Sequence, residues 1–346
     1  MPGRLEHSTY RAPRWLPGGH AQTLYAALAL RLPHIPYRRE RWVLPDGDFL
    51  DLDWVDGPKD APLVVLFHGL EGSSRGHYAR ALMQAVRRRG WRGVVPHFRG
   101  CSGEPNRLPR AYHSGDSAEI DLILRRFRAE FPGRALFAVG VSLGGNALLK
   151  WLGEWGPECL PLLDAAAAVS APMDLMAAGR ALDQGLNRHL YVRHFLVTLR
   201  AKALDKIARH HLPVSPQAIR AAATLYRFDD LFTAPLHGFR DATEYWTRAS
   251  SKPWLNSISV PTLILNARND PFLPAHALPT PEEVSQAVTL EFPAQGGHVG
   301  FVSGPFPGTF DWLPRRLLEH FAAHLRRPAL AASRPNRHNA PASCAA

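Results

Sequence analysis

The sequence predicts an α/β fold: a mostly parallel, doubly wound sheet of eight strands carrying a helical insertion. Three observations lead there. Short runs that are apolar at nearly every position, such as residues 62–67, recur along the chain. A strand of that kind is buried on both faces, as in parallel sheets. Helical stretches alternate with these runs, the order that puts helices on both sides of one sheet. The alternation then breaks over residues 174–258, where no strand pattern is visible and the chain is helical, basic and rich in Leu, Arg, His and aromatics.

The elements follow in order. Residues 1–38 are Pro-rich and read as irregular, with one helical stretch at 23–30. Residues 41–44 and 49–55 flank Pro45-Asp46-Gly47-Asp48, a hairpin signal. Residues 62–67 form a strand ending at His68-Gly69, followed by a helix at 75–89 and a strand at 93–98. An amphipathic helix at 114–131, with Ser114 or Ser117 at its cap, stops at Pro132-Gly133. Then come a strand at 135–139, a helix at 147–155 and a strand at 165–170. Beyond the insertion, strands at 260–265 and 287–292 and a last helix at 311–326 complete the pattern. The expected organisation is therefore a core of residues 39–173 and 259–327, a helical cap at 174–258, and a disordered Ala-, Pro-, Ser- and Asn-rich tail at 328–346.

Composition narrows the function classes. A chain of 346 residues with 46% hydrophobic and 21% charged residues suits one large globular domain with an insertion. The three cysteines, Cys101, Cys159 and Cys344, are odd in number and widely spaced, which argues against a disulfide framework. No C-x-x-C pair exists, so no structural metal site is expected. The first 15 residues lack the apolar core of a signal peptide, and the apolar run at 24–30 is far short of the roughly 20 residues a membrane span needs. These features predict a soluble cytoplasmic protein. The formal charge of +11 comes mostly from arginines spread over helices. No nucleic-acid module accompanies them, so no nucleic-acid partner is expected. Weak attraction to an anionic membrane surface is a secondary expectation of that charge. Nothing in the pattern speaks to oligomeric state.

The chemistry begins at Gly140-Val141-Ser142-Leu143-Gly144, which fits G-x-S-x-G between a strand and a helix. On such a turn the serine sits in strained backbone, and the flanking positions must be small because strand and helix nearly collide. The hydroxyl is pushed out at the carboxyl end of the sheet, where the helix start offers backbone N–H groups to a developing oxyanion. This arrangement orders its partners as Ser, then Asp or Glu, then His. Asp270 follows the strand at 260–265; an Asp before Pro also commonly caps a turn. His298 follows the last strand in a Gly296-Gly297 loop, and His276 is a weaker rival. In this reading His298 is the base, Asp270 its orienting acid and Ser142 the nucleophile, with no cofactor and no metal. The oxyanion donors are the backbone N–H groups of Leu143 and Leu70. His68 organises the Leu70 loop, and Glu71 is solvated or loop-fixing.

Several segments together resemble one family. They are Pro17-Gly18-Gly19-His20-Ala21-Gln22-Thr23-Leu24, Phe67-His68-Gly69-Leu70-Glu71-Gly72, His97-Phe98-Arg99-Gly100-Cys101-Ser102-Gly103-Glu104, the run from Gly140 to Asn146, and Arg110-Ala111-Tyr112-His113-Ser114-Gly115-Asp116. The chain resembles the AB hydrolase 4 family, which includes bacterial YheT-type hydrolases and plant and animal relatives. The resemblance implies an α/β-hydrolase fold with a helical cap and a Ser–Asp–His triad, carried here by Ser142, Asp270 and His298. It implies a carboxylic ester hydrolase acting on a small-molecule or lipid ester with a hydrophobic acyl group. The alternative is a catalytically weak lipid-binding or interaction protein on the same fold, and loss of a triad residue would have favoured it.

Overall fold

Nine strands join in one sheet, and the computed structural model describes residues 2–325. The strands are β1 (Arg4–Glu6), β2 (Arg38–Val43), β3 (Phe49–Val55), β4 (Leu63–Phe67), β5 (Arg92–Pro96), β6 (Leu136–Val141), β7 (Ala165–Val169), β8 (Thr262–Leu265) and β9 (Val288–Glu291). Their order across the sheet is β1-β9-β8-β7-β6-β4-β5-β3-β2. The strands from β4 to β9 pair in parallel, and β1 adds to β9 in the same sense. The β2–β3 hairpin is antiparallel and lies antiparallel on β5.

The eight expected strands are present and one is added. β1 lies in the 1–38 segment read as irregular. It is three residues long and its Leu5 is exposed, so it has no apolar periodicity to read. Polar contacts hold this edge instead: Arg316 bonds both Glu6 and Glu291, and Ser8 Oγ donates to Glu291. The helix expected at 23–30 starts earlier, as α1 (Gly19–Leu24), and continues as a wider helical turn over Tyr25–Ala29.

Apolar runs produce the layers because side chains alternate across a strand. In β4, Leu63, Val65 and Phe67 enter one core, and Val64 and Leu66 the other. The first core is closed by α3 (Ser117–Glu130), through Ile120, Leu124 and Phe127, and by α4 (Leu143–Trp155), through Leu148 and Leu152. The second is closed by α2 (His77–Arg88) and the helix Trp312–Ala323. Asp116, rather than Ser114 or Ser117, stands at the α3 start, where its carboxylate pairs with Arg110.

Between β7 and β8 the chain is helical, including Leu175–Leu182, Arg193–His210 and Ala242–Ala249. These helices share their own apolar cluster, with Leu196, Ile207, Phe228, Phe232 and Trp246 buried in it. Phe272, from the loop after β8, joins that cluster, which seats the helical block over the carboxyl ends of the strands. Strand order reverses at β4, and ligands of open α/β sheets bind outside the carboxyl ends at such a point. Among the described residues, no helix is long and apolar enough to cross a membrane. Cys101 and Cys159 are free thiols, whereas Cys344 and the 328–346 tail lie outside the described residues.

Candidate active site

Ser142 occupies the single residue between β6 and α4, with φ 54° and ψ −121°. A positive φ is costly for a residue with a Cβ and persists only where the surroundings over-determine it. Here they do. The Ser142 N–H donates to Val169 O at 2.9 Å, and Ser142 O accepts the Asn146 N–H at 3.0 Å. The flanking glycines follow from close approach: a Cβ on Gly140 would lie 2.4 Å from Gly144 O, and one on Gly144 would lie 2.4 Å from Phe67 O.

Two later loops converge on this serine. His298 Nε2 stands 2.9 Å from Ser142 Oγ, and His298 Nδ1 stands 2.9 Å from Asp270 Oδ2. A carboxylate can only accept, so Nδ1 carries the proton and Nε2 is free to accept from the serine hydroxyl. Asp270 is buried, and its Oδ1 also accepts the Phe272 N–H at 2.7 Å. The turn-capping and histidine-facing readings of Asp270 therefore both hold for one side chain. The Phe272 ring stacks on the His298 imidazole, with centroids 3.9 Å apart. His276 is exposed on the turn Ala275–Ala277 and does not line the cavity above Ser142.

The loop that carries Leu70 is fixed from several sides. Gly69 N–H donates to Tyr78 Oη at 3.0 Å, and Glu71 N–H donates to Tyr112 Oη at 2.8 Å. Glu71 has φ 53°, and its carboxylate accepts from Tyr112 Oη and from Lys202 Nζ, each at 2.8 Å. Glu71 is thus loop-fixing and nearly buried rather than solvated. His68 donates from Nδ1 to Gly69 O at 2.8 Å and accepts the Phe98 N–H on Nε2 at 3.1 Å. Burial pushes its pKa down to about 3, so it stays neutral and organises the loop. Leu70 and Leu143 line the same cavity as Ser142. Leu143 opens α4, where first-turn N–H groups have no partner within the helix.

Four contributors were not singled out in the sequence. Gln22, fully buried on α1, accepts the Gly296 N–H at 2.9 Å and an Asn269 Nδ2 proton at 3.0 Å. It also donates to Leu16 O and Gln295 Oε1. Its neighbour Thr23 accepts the His298 N–H at 2.8 Å. The pair joins the loop after β8 to the loop after β9. Lys202 reaches the Leu70 loop from the helical block, as noted above. Asn146, one turn into α4, bonds Ser114 O and Ala249 O and accepts the Ser251 N–H, which ties the block's return segment to the nucleophile helix. The only signal for Gln22, Thr23 and Asn146 was their place in the quoted motifs.

Above Ser142 lies a cavity of about 450 Å³. The helical block gives it an apolar wall that includes Leu182, Phe195, Leu199 and Phe232. Its polar end holds Glu71, Lys202 and Lys206. Lys206 donates to Asn106 Oδ1 at 2.7 Å and Leu108 O at 2.8 Å, and burial lowers its pKa to about 8.

The sheet order and the strand–serine–helix turn define an α/β hydrolase. Residues 62–305 match the family described as the alpha/beta hydrolase fold. YheT of Escherichia coli (strain K12) is 42% identical over 311 residues, covering 88% of this chain and 91% of that protein. Phospholipase ABHD3 of Mus musculus is 32% identical over 319 residues, covering 89% of this chain and 76% of that protein. Among solved structures, the Pyrococcus furiosus esterase PF2001 superposes with a TM-score of 0.55 at 18% identity, over 94% of this chain and 99% of that one, a likeness of fold. The chain belongs to the α/β-hydrolase family, in its YheT-like branch.

Proposed function

We propose that this protein is a serine hydrolase that cleaves a carboxylic ester with a hydrophobic or lipid-like acyl group through an acyl-enzyme on Ser142. The observation that carries the reading is the unbroken chain Ser142 Oγ, His298 Nε2, His298 Nδ1 and Asp270 Oδ2, with both links at 2.9 Å and with Ser142 lining a largely apolar cavity. Relatives named phospholipase and monoacylglycerol lipase support the ester class. Residues 174–258 act as the cap of a core made from 39–173 and 259–327.

In the first half-reaction Ser142 Oγ attacks the acyl carbon and passes its proton to His298 Nε2. Asp270 holds the ring in the tautomer that can accept and stabilises the imidazolium. The carbonyl oxygen becomes an oxyanion that accepts from the N–H groups of Leu70 and Leu143. As the intermediate collapses, His298 returns its proton to the departing alcohol and leaves Ser142 acylated. Water then gives a proton to His298 and attacks the acyl carbon, releasing the acid and restoring the serine. This sequence needs no cofactor. A fluorophosphonate probe tests it: wild type is labelled and Ser142→Ala is not. Absence of labelling, together with no turnover of a short-chain nitrophenyl ester, would overturn the proposal.

A further inference from the structure

We infer that the outer face of the helical block docks on an anionic lipid bilayer. Residues 185–210 form one continuous helical run, made of Gly185–Asn187, the wider turn Arg188–Val192 and Arg193–His210. Its two faces differ. The inner face buries Val192, Leu196 and Ile207 and turns Phe195 and Leu199 into the cavity above Ser142. The outer face exposes Leu186 (56%), Leu190 (37%) and Val197 (65%) to solvent. Spacings of four and seven residues bring these three onto one stripe. Single exposed aliphatics are ordinary on soluble proteins, but an aligned set on one helix marks a contact surface.

Charge selects the occupant. No acidic residue occurs over positions 184–204, whereas Arg193, three residues after Leu190 and four before Val197, stands exposed on the aliphatic stripe. A basic helix with exposed leucines lies at the boundary of headgroups and acyl chains, its aliphatics inserted and its arginines among the phosphates. A second copy of this chain is the poorer partner. A two-fold interface on this stripe would set the same arginines against one another, in a chain of formal net charge +11. The geometry also suits delivery. Leu199 and Phe195 line the cavity from the opposite face of the helix that carries Val197, so one helix separates the proposed bilayer face from the cavity that holds Ser142. That delivery rests on the ester hydrolase reading, whereas the surface contact does not.

Sedimentation of the full chain with vesicles tests the inference. At low salt the protein sediments with phosphatidylcholine vesicles that contain phosphatidylglycerol, and much less with phosphatidylcholine alone or at high salt. Arg193→Gln weakens partitioning about 5-fold, the effect of one headgroup contact. Leu190→Ser/Val197→Ser weakens it about 10-fold or more. Both variants keep wild-type turnover of a water-soluble short-chain nitrophenyl ester, so loss of docking is separable from loss of chemistry. Failure of wild type to bind the anionic vesicles at low salt overturns the inference, as does equal binding by both variants. A wild-type dimer in light scattering that both variants return to monomer would assign the stripe to a second copy and overturn it too.

Discussion

Thr23 Oγ1 accepts the backbone N–H of His298 at 2.8 Å, across a sequence separation of 275 residues. The same hydroxyl donates to Gly19 O, so α1 holds the histidine loop at a fixed height above the serine. Thr23→Val keeps the shape and removes the acceptor. The buried amide then loses its partner and the loop shifts, which lowers kcat about 10- to 100-fold with little change in KM. Thr23→Ser restores activity. Steady-state kinetics with a short-chain ester checks this, and equal activity of the Val and Ser variants would show that the bond does not position His298.

Lys202 and Glu71 tie the helical block to the loop that carries Leu70. Their ion pair, at 2.8 Å, flanks the Leu70 amide through a backbone held at positive φ. Removing one oxyanion donor from an acyl-transfer site slows it about 10²–10³-fold, and loosening one costs a fraction of that. Lys202→Met and Glu71→Gln are each expected to lower kcat about 10-fold, with the double variant no worse than either single. Fully multiplicative losses in the double-mutant cycle would show that the two act separately.

Acyl preference should follow the wall of the helical block. Leu199→Trp fills part of the cavity at the inner face of its helix. The expected profile of kcat/KM against acyl length shifts toward short chains, by about 4-fold for each methylene no longer accommodated. Nitrophenyl esters of increasing chain length measure it, and an unchanged profile would place the acyl group elsewhere.

Acid should unfold the protein well above the pH at which most carboxylates titrate. Burial holds His68, His237 and His320 down at about 3 and His77 at about 4, each below an ordinary value of 6.5. Their folded pKa values are depressed, so the unfolded chain binds more protons between pH 6.5 and about 4, and stability falls as pH drops through that window. Glu119, raised to about 7, and Asp229, raised to about 6, act in the opposite sense, because each binds a proton more readily when folded. Four histidines outweigh two carboxyls, leaving a net loss of stability as pH falls through the window. Melting temperature should drop steeply from pH 6.5 to pH 5. A flat profile would mean that these histidines are not buried in the neutral form.

The sheet was legible because its strands are apolar at nearly every position, and the turn at Ser142 because Gly140 and Gly144 are the residues that steric contact with Gly144 O and Phe67 O leaves room for. Asp270 and His298 could be selected by chain order alone, since each follows a strand that ends at the same edge. β1 could not be read, because three residues with an exposed Leu5 and polar anchors carry no period. Gln22 and Thr23 were hidden for a related reason. They bond to backbone and side-chain groups nearly the length of the chain away, and such contacts leave no mark on local pattern. Glu71 could be read only as solvated or loop-fixing because its partners, Tyr112 and Lys202, come from separate elements.

The proposed mechanism requires that an acyl group reside on Ser142 during turnover. Intact-mass analysis of enzyme quenched during hydrolysis of a slowly deacylating ester, followed by peptide mapping, tests it most directly. One added acyl mass is expected, on the peptide that contains Ser142, and no adduct in Ser142→Ala, whose turnover falls about 10⁴-fold or more. Turnover that survives in Ser142→Ala, or an adduct mapped to another residue, would contradict it.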